Sequence, residues 1–262
     1  SSRSTGERYG KKTIKGIKVF RIDSQNKLKE FYTDISKLEL KDKQEDAVIK
    51  PFKKVGDINA LNKTAVVNSL IPESGDFVKT LDGKNIYLYD EISIGGEGKV
   101  YSVNDTEVCK IYKKDKFLES SFQKLKLMTS NKVEVKGVCW PKSIVYNANN
   151  EPVGYLMNKA QGVELSRSIF QPKLLGIRFP TWDRKSLAKL CVKILDKIIA
   201  LHQYNIFIGD INGQNIMVTE SLDVYFVDTD SFQVEGYPCP VGLVLFTAPE
   251  IQGINFKSFL RT

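Results

Sequence analysis

The chain has 262 residues, of which 42% are hydrophobic and 27% are charged, a composition typical of soluble globular proteins with one large or two smaller domains. No apolar run approaches the roughly 20 residues that cross a bilayer, and none of the four cysteines lies in a C-x-x-C pair. These features exclude a membrane-spanning helix and argue against a zinc site. We expect free thiols and a cytoplasmic location.

The net charge of +8 is concentrated near the N-terminus, where residues 1–60 hold 15 Lys and Arg against 9 Asp and Glu. The two signs are interspersed, and no aromatic residues interleave with the basic ones in the way that base stacking requires. The pattern favours a solvated surface over a nucleic-acid site, which stays the alternative.

The first 80 residues are predicted to form a small α/β extension. Residues 13–22 alternate loosely and predict a strand, whereas residues 25–40 place apolar side chains at helical spacing. Residues 41–80 are interrupted by Pro, Gly and Asn and predict a connector. The sequence assigns this extension no function beyond that of a regulatory or partner-binding segment.

Residues 81–160 are predicted to form a small antiparallel sheet with one helix. Asp82-Gly83 suits a tight hairpin turn, and a glycine-rich turn separates the first two strands. The helix is predicted over residues 116–129, where apolar positions recur at helical spacing. Five runs predict strands: 85–90, 99–103, 107–112, 143–147 and 153–158.

Residues 161–262 are predicted to be mainly helical. A long amphipathic helix follows Pro180, and either Thr181 or Asp183 can cap its N-terminus. Two short strands follow, over residues 216–218 and 224–227. The order therefore predicts an α+β protein in which a β-rich part precedes a helical part with a small β insert.

Two features of the β-rich part suit an anionic ligand. Gly95, Gly96 and Gly98 lie in a turn between strands, where backbone N–H groups can approach phosphate oxygens closely. Lys110 lies between apolar neighbours on a strand and needs an anion for its charge. The alternatives are an ordinary hairpin and an edge-strand lysine that faces water.

The strongest pattern lies in the helical part. Asp210 and Asn215 stand five residues apart in a loop between a helix and a strand, and Asp228 follows the next apolar strand. Three oxygen-bearing side chains are thus expected to converge at strand ends. They suit one base and two ligands of a hard cation such as Mg²⁺.

In order and spacing, residues from about 84 to 253 resemble a protein kinase: glycine loop, strand lysine, helix, hinge, catalytic loop, metal aspartate and Ala248-Pro249-Glu250. The details are similar to an atypical bacterial branch whose members are linked to stress response and to helix-hairpin-helix modules. Gly-Asp-Ile-Asn (209–212) stands in place of His-Arg-Asp-Leu-Lys, with Gly209 at the arginine and Asn212 at the lysine, and Asp-Thr-Asp (228–230) replaces Asp-Phe-Gly. The resemblance implies a two-lobed fold, with residues 81–160 as the N-lobe and 161–262 as a C-lobe that is expected to be truncated.

The resemblance also implies ATP and Mg²⁺ as cofactors and a protein as substrate, with Ser or Thr as acceptor. It assigns nucleotide contacts by position: Gly95, Gly96, Gly98 and Val100 at the phosphate end, Lys110 on the α- and β-phosphates, Glu119 as the ion-pair partner of Lys110, Met157 behind adenine, Asn158 and Ala160 in the hinge, and Glu164 at the ribose.

Catalytic roles are implied in the same way. Asp210 is expected to orient the acceptor hydroxyl and take its proton, and Asn215 and Asp228 are expected to hold Mg²⁺. Asn212 stands where the family has a lysine that steadies the γ-phosphate, and an amide there supplies no charge. Gly209 replaces the arginine that usually pairs with a phosphorylated activation loop, so we expect no such switch.

Two functions remain open at this point. The four residues of kinase chemistry favour an active kinase, whereas the departures at 209, 212 and 229 favour a pseudokinase, a nucleotide-binding scaffold without efficient transfer. The chain ends twelve residues after Glu250, where a full kinase has further helices. The face that they cover is expected to be exposed, or to be covered by a partner, by residues 1–80 or by a further segment of a longer protein.

Overall fold

The computed structural model describes residues 11–14, 17–20, 51–53 and 55–261. The helix predicted over residues 25–40 lies outside these ranges. Near the N-terminus, strands β1 (Lys11–Ile14) and β2 (Ile17–Phe20) pair antiparallel. The single strand predicted over residues 13–22 is therefore wrong, because two antiparallel strands occupy residues 11–14 and 17–20.

A seven-stranded sheet in the order β4-β3-β8-β9-β7-β6-β5 forms the first part, and all of its pairings are antiparallel. It begins at β3, so the predicted boundary between residues 80 and 81 falls inside the β3–β4 hairpin. The strand predicted over residues 85–90 is shorter in the structure, because β4 ends at Tyr87 and a separate strand, β5, starts at Glu91. The strands are β3 (Phe77–Thr80), β4 (Asn85–Tyr87), β5 (Glu91–Ile94), β6 (Gly98–Ser102), β7 (Glu107–Tyr112), β8 (Pro141–Tyr146) and β9 (Pro152–Asn158).

Helix α2 (Glu119–Ser130) packs on this sheet, as the apolar spacing predicts, and buries Leu125 and Met128. Trp140 fastens its C-terminal end, since the indole Nε1 donates to the Met128 carbonyl at 2.9 Å. The short helix α1 (Ile58–Leu61) precedes it in the chain and is capped by Asp57.

The second part contains α3 (Pro172–Arg178), α4 (Arg184–Gln203) and two small sheets. A capping box starts α4: the Asp183 carboxylate accepts from the Ser186 N–H at 2.8 Å, so Asp183 rather than Thr181 is the cap. None of the helices in the described part of the chain has the length and apolar content that a membrane crossing requires. The sheets are β10-β12-β13 and β11-β14, formed by β10 (Val163–Glu164), β11 (Ile206–Phe207), β12 (Ile216–Val218), β13 (Val224–Phe226) and β14 (Gln233–Val234).

The segment that enters β8 joins the two parts. The Phe226 N–H on β13 donates to the Gly137 carbonyl at 2.8 Å, and the Cys139 N–H donates back to the Phe226 carbonyl at 3.0 Å. Gly137 is required here, because it has a φ of +84° and a β-carbon would lie 2.1 Å from the Val224 carbonyl oxygen. One hydrophobic core runs across this junction and includes Leu125 of α2 and Leu201 of α4.

Candidate functional site

Lys110 lies at the centre of the sheet. Strand β7 runs between β6 and β9, and Lys110 is only 6% exposed, so the alternative of a water-facing edge lysine is excluded. Side chains two apart share a face of a strand, which puts Tyr112 beside Lys110, while Tyr155 stands opposite on β9. The Lys110 Nζ lies 2.7 Å from Oδ1 of Asp228. The strand lysine and the predicted metal ligand therefore meet.

A second carboxylate, Asp230, also binds Lys110. Its Oδ2 accepts from Lys110 Nζ at 2.7 Å and from the Tyr112 hydroxyl at 2.5 Å. Its Oδ1 accepts from Lys110 Nζ at 2.9 Å and from the Tyr155 hydroxyl at 2.7 Å. Each oxygen of this buried carboxylate thus receives two donors, which is the arrangement that makes a buried charge tolerable.

Electrostatics separates the two carboxylates. Burial opposes ionisation of Asp230, but the charge of Lys110 and the hydrogen bonds from Lys110, Tyr112 and Tyr155 outweigh it and lower the pKa of Asp230 to about 2. Lys110 lowers the pKa of Asp228, yet burial and the neighbouring Asp230 charge more than offset this and raise it above the ordinary aspartate value. The Lys110 ammonium thus faces both carboxylates, and it offsets the negative charge of Asp228 less completely than that of Asp230.

Lys110 carries its proton firmly. Burial disfavours the charged amine, but Asp228 and Asp230 outweigh burial and raise the pKa of Lys110 above its usual range. The group therefore presents a fixed positive charge to anything that binds at Asp228.

The ion pair predicted between Lys110 and Glu119 is wrong. Glu119 lies in the first turn of α2 and accepts a hydrogen bond from Gln123. The buried charged side chain of α2 is Lys124, whose Nζ donates to the Phe232 carbonyl at 3.0 Å. Asp230 stands where the kinase resemblance places the glycine of the metal motif, and the acidic side chain there is the signal that the sequence holds for this contact.

The loop predicted to be catalytic, residues 209–215, gathers around Asp210. Its Oδ2 accepts from Asn212 Nδ2 at 2.9 Å and from Asn215 Nδ2 at 3.0 Å. Its Oδ1 is buried and has no hydrogen-bond partner among the residues that the structure describes. A buried carboxylate oxygen without a donor is suited to accept a hydrogen bond from a bound hydroxyl group.

Asn215 and Asp228 belong to neighbouring segments, because the Val227 N–H donates to the Asn215 carbonyl at 3.0 Å. The Asn215 amide nitrogen is used by Asp210, which leaves its amide oxygen for a cation. Asp228 itself has φ 55° and ψ 39°, a left-handed conformation that is uncommon for residues other than glycine and is often found at functional sites.

Asn212 has a different place from the one predicted. It is 4% exposed, and its Oδ1 accepts from the backbone N–H groups of Gln214 at 2.8 Å and Asn215 at 3.2 Å. Both ends of the amide are thus occupied within the loop. The expectation that Asn212 acts on the γ-phosphate is corrected, because the structure uses it to shape the loop and hold Asp210.

The glycine turn connects β5 to β6 beside Lys110. A β-carbon at Gly98 would lie 2.5 Å from the Ile111 carbonyl oxygen, whereas Gly96 has no neighbour within 4 Å. Gly95 is tethered by Lys113, whose Nζ donates to its carbonyl at 2.7 Å. Val100 pairs with Lys110 in register and is half-buried. Gly98 is thus required by the sheet, and Gly96 leaves the turn open.

The predicted adenine and ribose residues follow β9. Met157 is buried opposite Val108, Asn158 is exposed at the end of the strand, and Ala160 is half-buried just beyond it. Glu164 lies on β10, where its carboxylate accepts from Ser166 and pairs with Arg167 at 3.3 Å. Met157 belongs to the same hydrophobic core as Tyr112 and Tyr155, and no hydrogen bond among the described residues joins any of these four residues to Lys110.

A cavity of about 500 Å³ lies next to the candidate site. It is lined by Gly96 and Glu97, by the start of α2, and by Tyr237 and Pro238. None of the predicted adenine-contacting residues lines it. It therefore adjoins the glycine turn without reaching the residues predicted to contact adenine.

The donor set fits Mg²⁺ held jointly with a phosphate ligand. Among the described residues, no group of three His, Cys, Asp or Glu side chains could hold a metal alone. Mg²⁺ is commonly bound by one or two carboxylates plus substrate phosphates and water. The under-compensated Asp228, 40% exposed at its side chain, meets that requirement with the Asn215 amide oxygen.

Similarity to known proteins agrees with this chemistry. No protein-family model matches the chain. It is 29% identical over 200 residues to the protein kinase YegI of Escherichia coli O157:H7, covering 70% of this chain and 30% of that protein. The same kinase of strain K12 is 29% identical over 202 residues, covering 71% and 30%.

The chain thus spans about 30% of the length of the curated relatives that it matches. Both relatives are named protein kinases, which agrees with a kinase-like family. The mixed α+β architecture, with an antiparallel sheet in the first part and few helices, is compatible with a kinase-like fold.

Proposed function

We propose that this chain is an ATP- and Mg²⁺-dependent Ser/Thr protein kinase domain of an atypical bacterial branch, acting on a cytoplasmic protein substrate. The observation that carries the proposal is the 2.7 Å contact between Lys110 Nζ and Asp228 Oδ1, which joins residues 118 apart in the sequence. A cation for phosphate and an acidic ligand for metal thereby stand side by side, as phosphoryl transfer requires.

In the proposed reaction the acceptor hydroxyl donates its hydrogen bond to the free Oδ1 of Asp210. The hydroxyl oxygen forms a bond to the γ-phosphorus, the bond from that phosphorus to the β–γ bridging oxygen breaks, and ADP leaves. The proton passes from the hydroxyl to Asp210, and Lys110 holds the α- and β-phosphates. Asn215 and Asp228 would hold Mg²⁺ together with the phosphates, and the ion would supply the charge that neutralises the transferring group.

One observation favours a second function, that of a pseudokinase. Both ends of the Asn212 amide are occupied inside the loop, so this position supplies neither a charge nor a donor to the γ-phosphate. Removal of one such electrostatic contact slows related reactions by about 10²–10³-fold. A chain that binds nucleotide and transfers phosphate very slowly would act as a scaffold.

The test is transfer of labelled γ-phosphate from ATP to a general protein substrate and to the chain itself. We expect transfer by the wild type and by Asp105→Asn, a matched change at an exposed turn. We expect a loss of about 10²-fold or more in Asp210→Asn, which removes the base but preserves its size. Equal transfer by wild type and Asp210→Asn contradicts catalysis by this site.

Nucleotide binding separates the two functions. Thermal stabilisation of the wild type by ATP and Mg²⁺ without transfer identifies the pseudokinase, and the absence of both rejects both functions. Phosphoamino-acid analysis of the product then tests the Ser/Thr preference.

A further inference from the structure

The inference concerns Asp230 and rests on the proposed function. We propose that Asp230 is the residue that positions Lys110 for ATP, so that the partner of the phosphate-binding lysine comes from the turn that carries the metal ligand and not from helix α2. This role follows from three observations: the contacts of Asp230, the side chains of α2, and the anchoring of the turn.

The contacts fix both partners. Lys110 Nζ lies 2.9 Å and 2.7 Å from the two oxygens of Asp230, a two-point contact that restricts where the amine can point. The hydroxyls of Tyr112 and Tyr155 then hold the carboxylate from the sheet side. Because these tyrosines lie on β7 and β9, the sheet itself sets the position of Asp230 and, through it, that of Lys110.

Helix α2 offers no equivalent carboxylate. Its acid in the first turn, Glu119, bonds to Gln123 one turn further along, and its buried charged residue is the cation Lys124. Lys124 binds the same turn from the other side, through the Phe232 carbonyl at 3.0 Å. Helix α2 thus contacts the turn through Lys124, and the turn contacts the sheet through the Asp230 carboxylate.

The turn is anchored along its whole length. Residues Thr229–Ser231 form a 3₁₀ helix, and the Thr229 hydroxyl donates to the Cys139 carbonyl at 2.7 Å. The Ser231 hydroxyl donates to the Asp228 carbonyl at 2.8 Å. The metal ligand at 228 and the lysine partner at 230 are therefore held as one unit.

The test compares Asp230→Asn with Glu119→Gln in the 262-residue chain. We expect Asp230→Asn to lower kcat/KM for ATP by about 100-fold, as for a misplaced reacting group, and Glu119→Gln to leave it unchanged. Tyr155→Phe removes one support of Asp230 and is expected to give a smaller loss. Activity lost in Glu119→Gln and kept in Asp230→Asn overturns the proposal.

A second readout needs no catalysis. Acylation of Lys110 by an amine-reactive ester, followed by mass spectrometry without nucleotide, reports how readily its amine leaves the two-point contact with Asp230. We expect labelling to rise severalfold in Asp230→Asn and to stay unchanged in Glu119→Gln.

The two readouts keep the hypotheses apart. A wild type without phosphotransfer rejects the proposed function, while the labelling contrast still decides whether Asp230 holds Lys110. If thermal unfolding shows that Asp230→Asn is not folded, Tyr155→Phe serves as the test variant. Increased labelling of Lys110 in Tyr155→Phe supports the proposal, and unchanged labelling overturns it.

Discussion

The guanidinium of Arg261 lies against Gly209, the residue directly before Asp210. A β-carbon at Gly209 would come within 2.5 Å of Arg261 Nη1 and 2.4 Å of Cys239 Cβ. Arg261 is fixed by Gln233, with which it exchanges hydrogen bonds of 2.7 Å and 2.8 Å, and its Nη1 donates to the Cys239 carbonyl at 3.2 Å. The general protein-kinase pattern has an arginine at this position, and here the space is filled by Arg261 from elsewhere in the chain.

This contact predicts that placing an arginine at position 209, as in the general protein-kinase pattern, lowers the stability of the chain. Gly209→Arg is expected to lower the free energy of unfolding by about 1–3 kcal/mol, because it forces extra atoms into a filled space. Thermal unfolding measures the change, and Arg261→Ala in the same background is expected to recover part of it. A Gly209→Arg variant as stable as the wild type contradicts the packing described.

The glycine turn offers a matched pair of substitutions. Gly98→Ala is expected to destabilise the chain by about 1–3 kcal/mol, since its β-carbon would lie 2.5 Å from the Ile111 carbonyl oxygen. Gly96→Ala, with no neighbour within 4 Å, is expected to leave the unfolding midpoint in urea unchanged. Equal unfolding midpoints for the two variants would contradict the close contact between Gly98 and the Ile111 carbonyl of β7.

Asn212 is predicted to support the loop that carries Asp210. Asn212→Ala leaves the backbone N–H groups of Gln214 and Asn215 without their acceptor and is expected to cost about 1–3 kcal/mol of stability. Asn212→Lys, the family residue, has no acceptor and should be equally destabilised rather than more active. Urea unfolding and phosphotransfer assays measure both, and a faster Asn212→Lys enzyme would contradict this role.

Magnesium binding is predicted to depend on pH through Asp228. Because the pKa of Asp228 is raised, its carboxylate is protonated at a higher pH than the roughly 3.9 of an ordinary aspartate. Mg²⁺ affinity with a non-hydrolysable ATP analogue is therefore full near neutrality and declines as the pH falls toward the raised value. Calorimetry over a pH series checks this, and Asp228→Asn should bind weakly with little pH dependence.

Asp230 is predicted to contribute to acid stability with the opposite shift. Its pKa of about 2 in the folded chain lies below the unfolded value, so it stabilises the fold above about pH 4 and loses this contribution as the pH falls toward 2. The contribution at neutral pH is about 2–3 kcal/mol by linkage. Acid unfolding of Asp230→Asn should lack this component, and a profile identical to wild type would count against the ionised state of Asp230.

Local patterns predicted much of the site. Lys110 on a strand and Asp210 and Asn215 in one loop follow from apolar spacing and polar side chains at element ends, and the structure places them there. The long helix and its Asp183 cap also follow from local sequence. These features depend on residues a few positions apart, and such features can be read from a sequence.

The partner of Lys110 could not be found in that way. It depends on the register that sets Tyr155 opposite Lys110 and on the turn that brings Asp230 from 120 residues away. The role of Arg261 at Gly209 has the same origin, because nothing near Gly209 in the sequence indicates what fills its missing side chain. Contacts between distant segments decided both cases.

The hydrogen bonds between the Gly137–Cys139 stretch and β13 have a mechanical consequence. They join β13, which leads to Asp228, to the segment that enters β8. A motion that widens the site at Phe226 must therefore break these backbone hydrogen bonds. A β-carbon at Gly96 would meet no atom within 4 Å, although Lys113 holds the residues on either side of Gly96. The site is therefore more tightly enclosed by backbone on the Asp228 side than at Gly96.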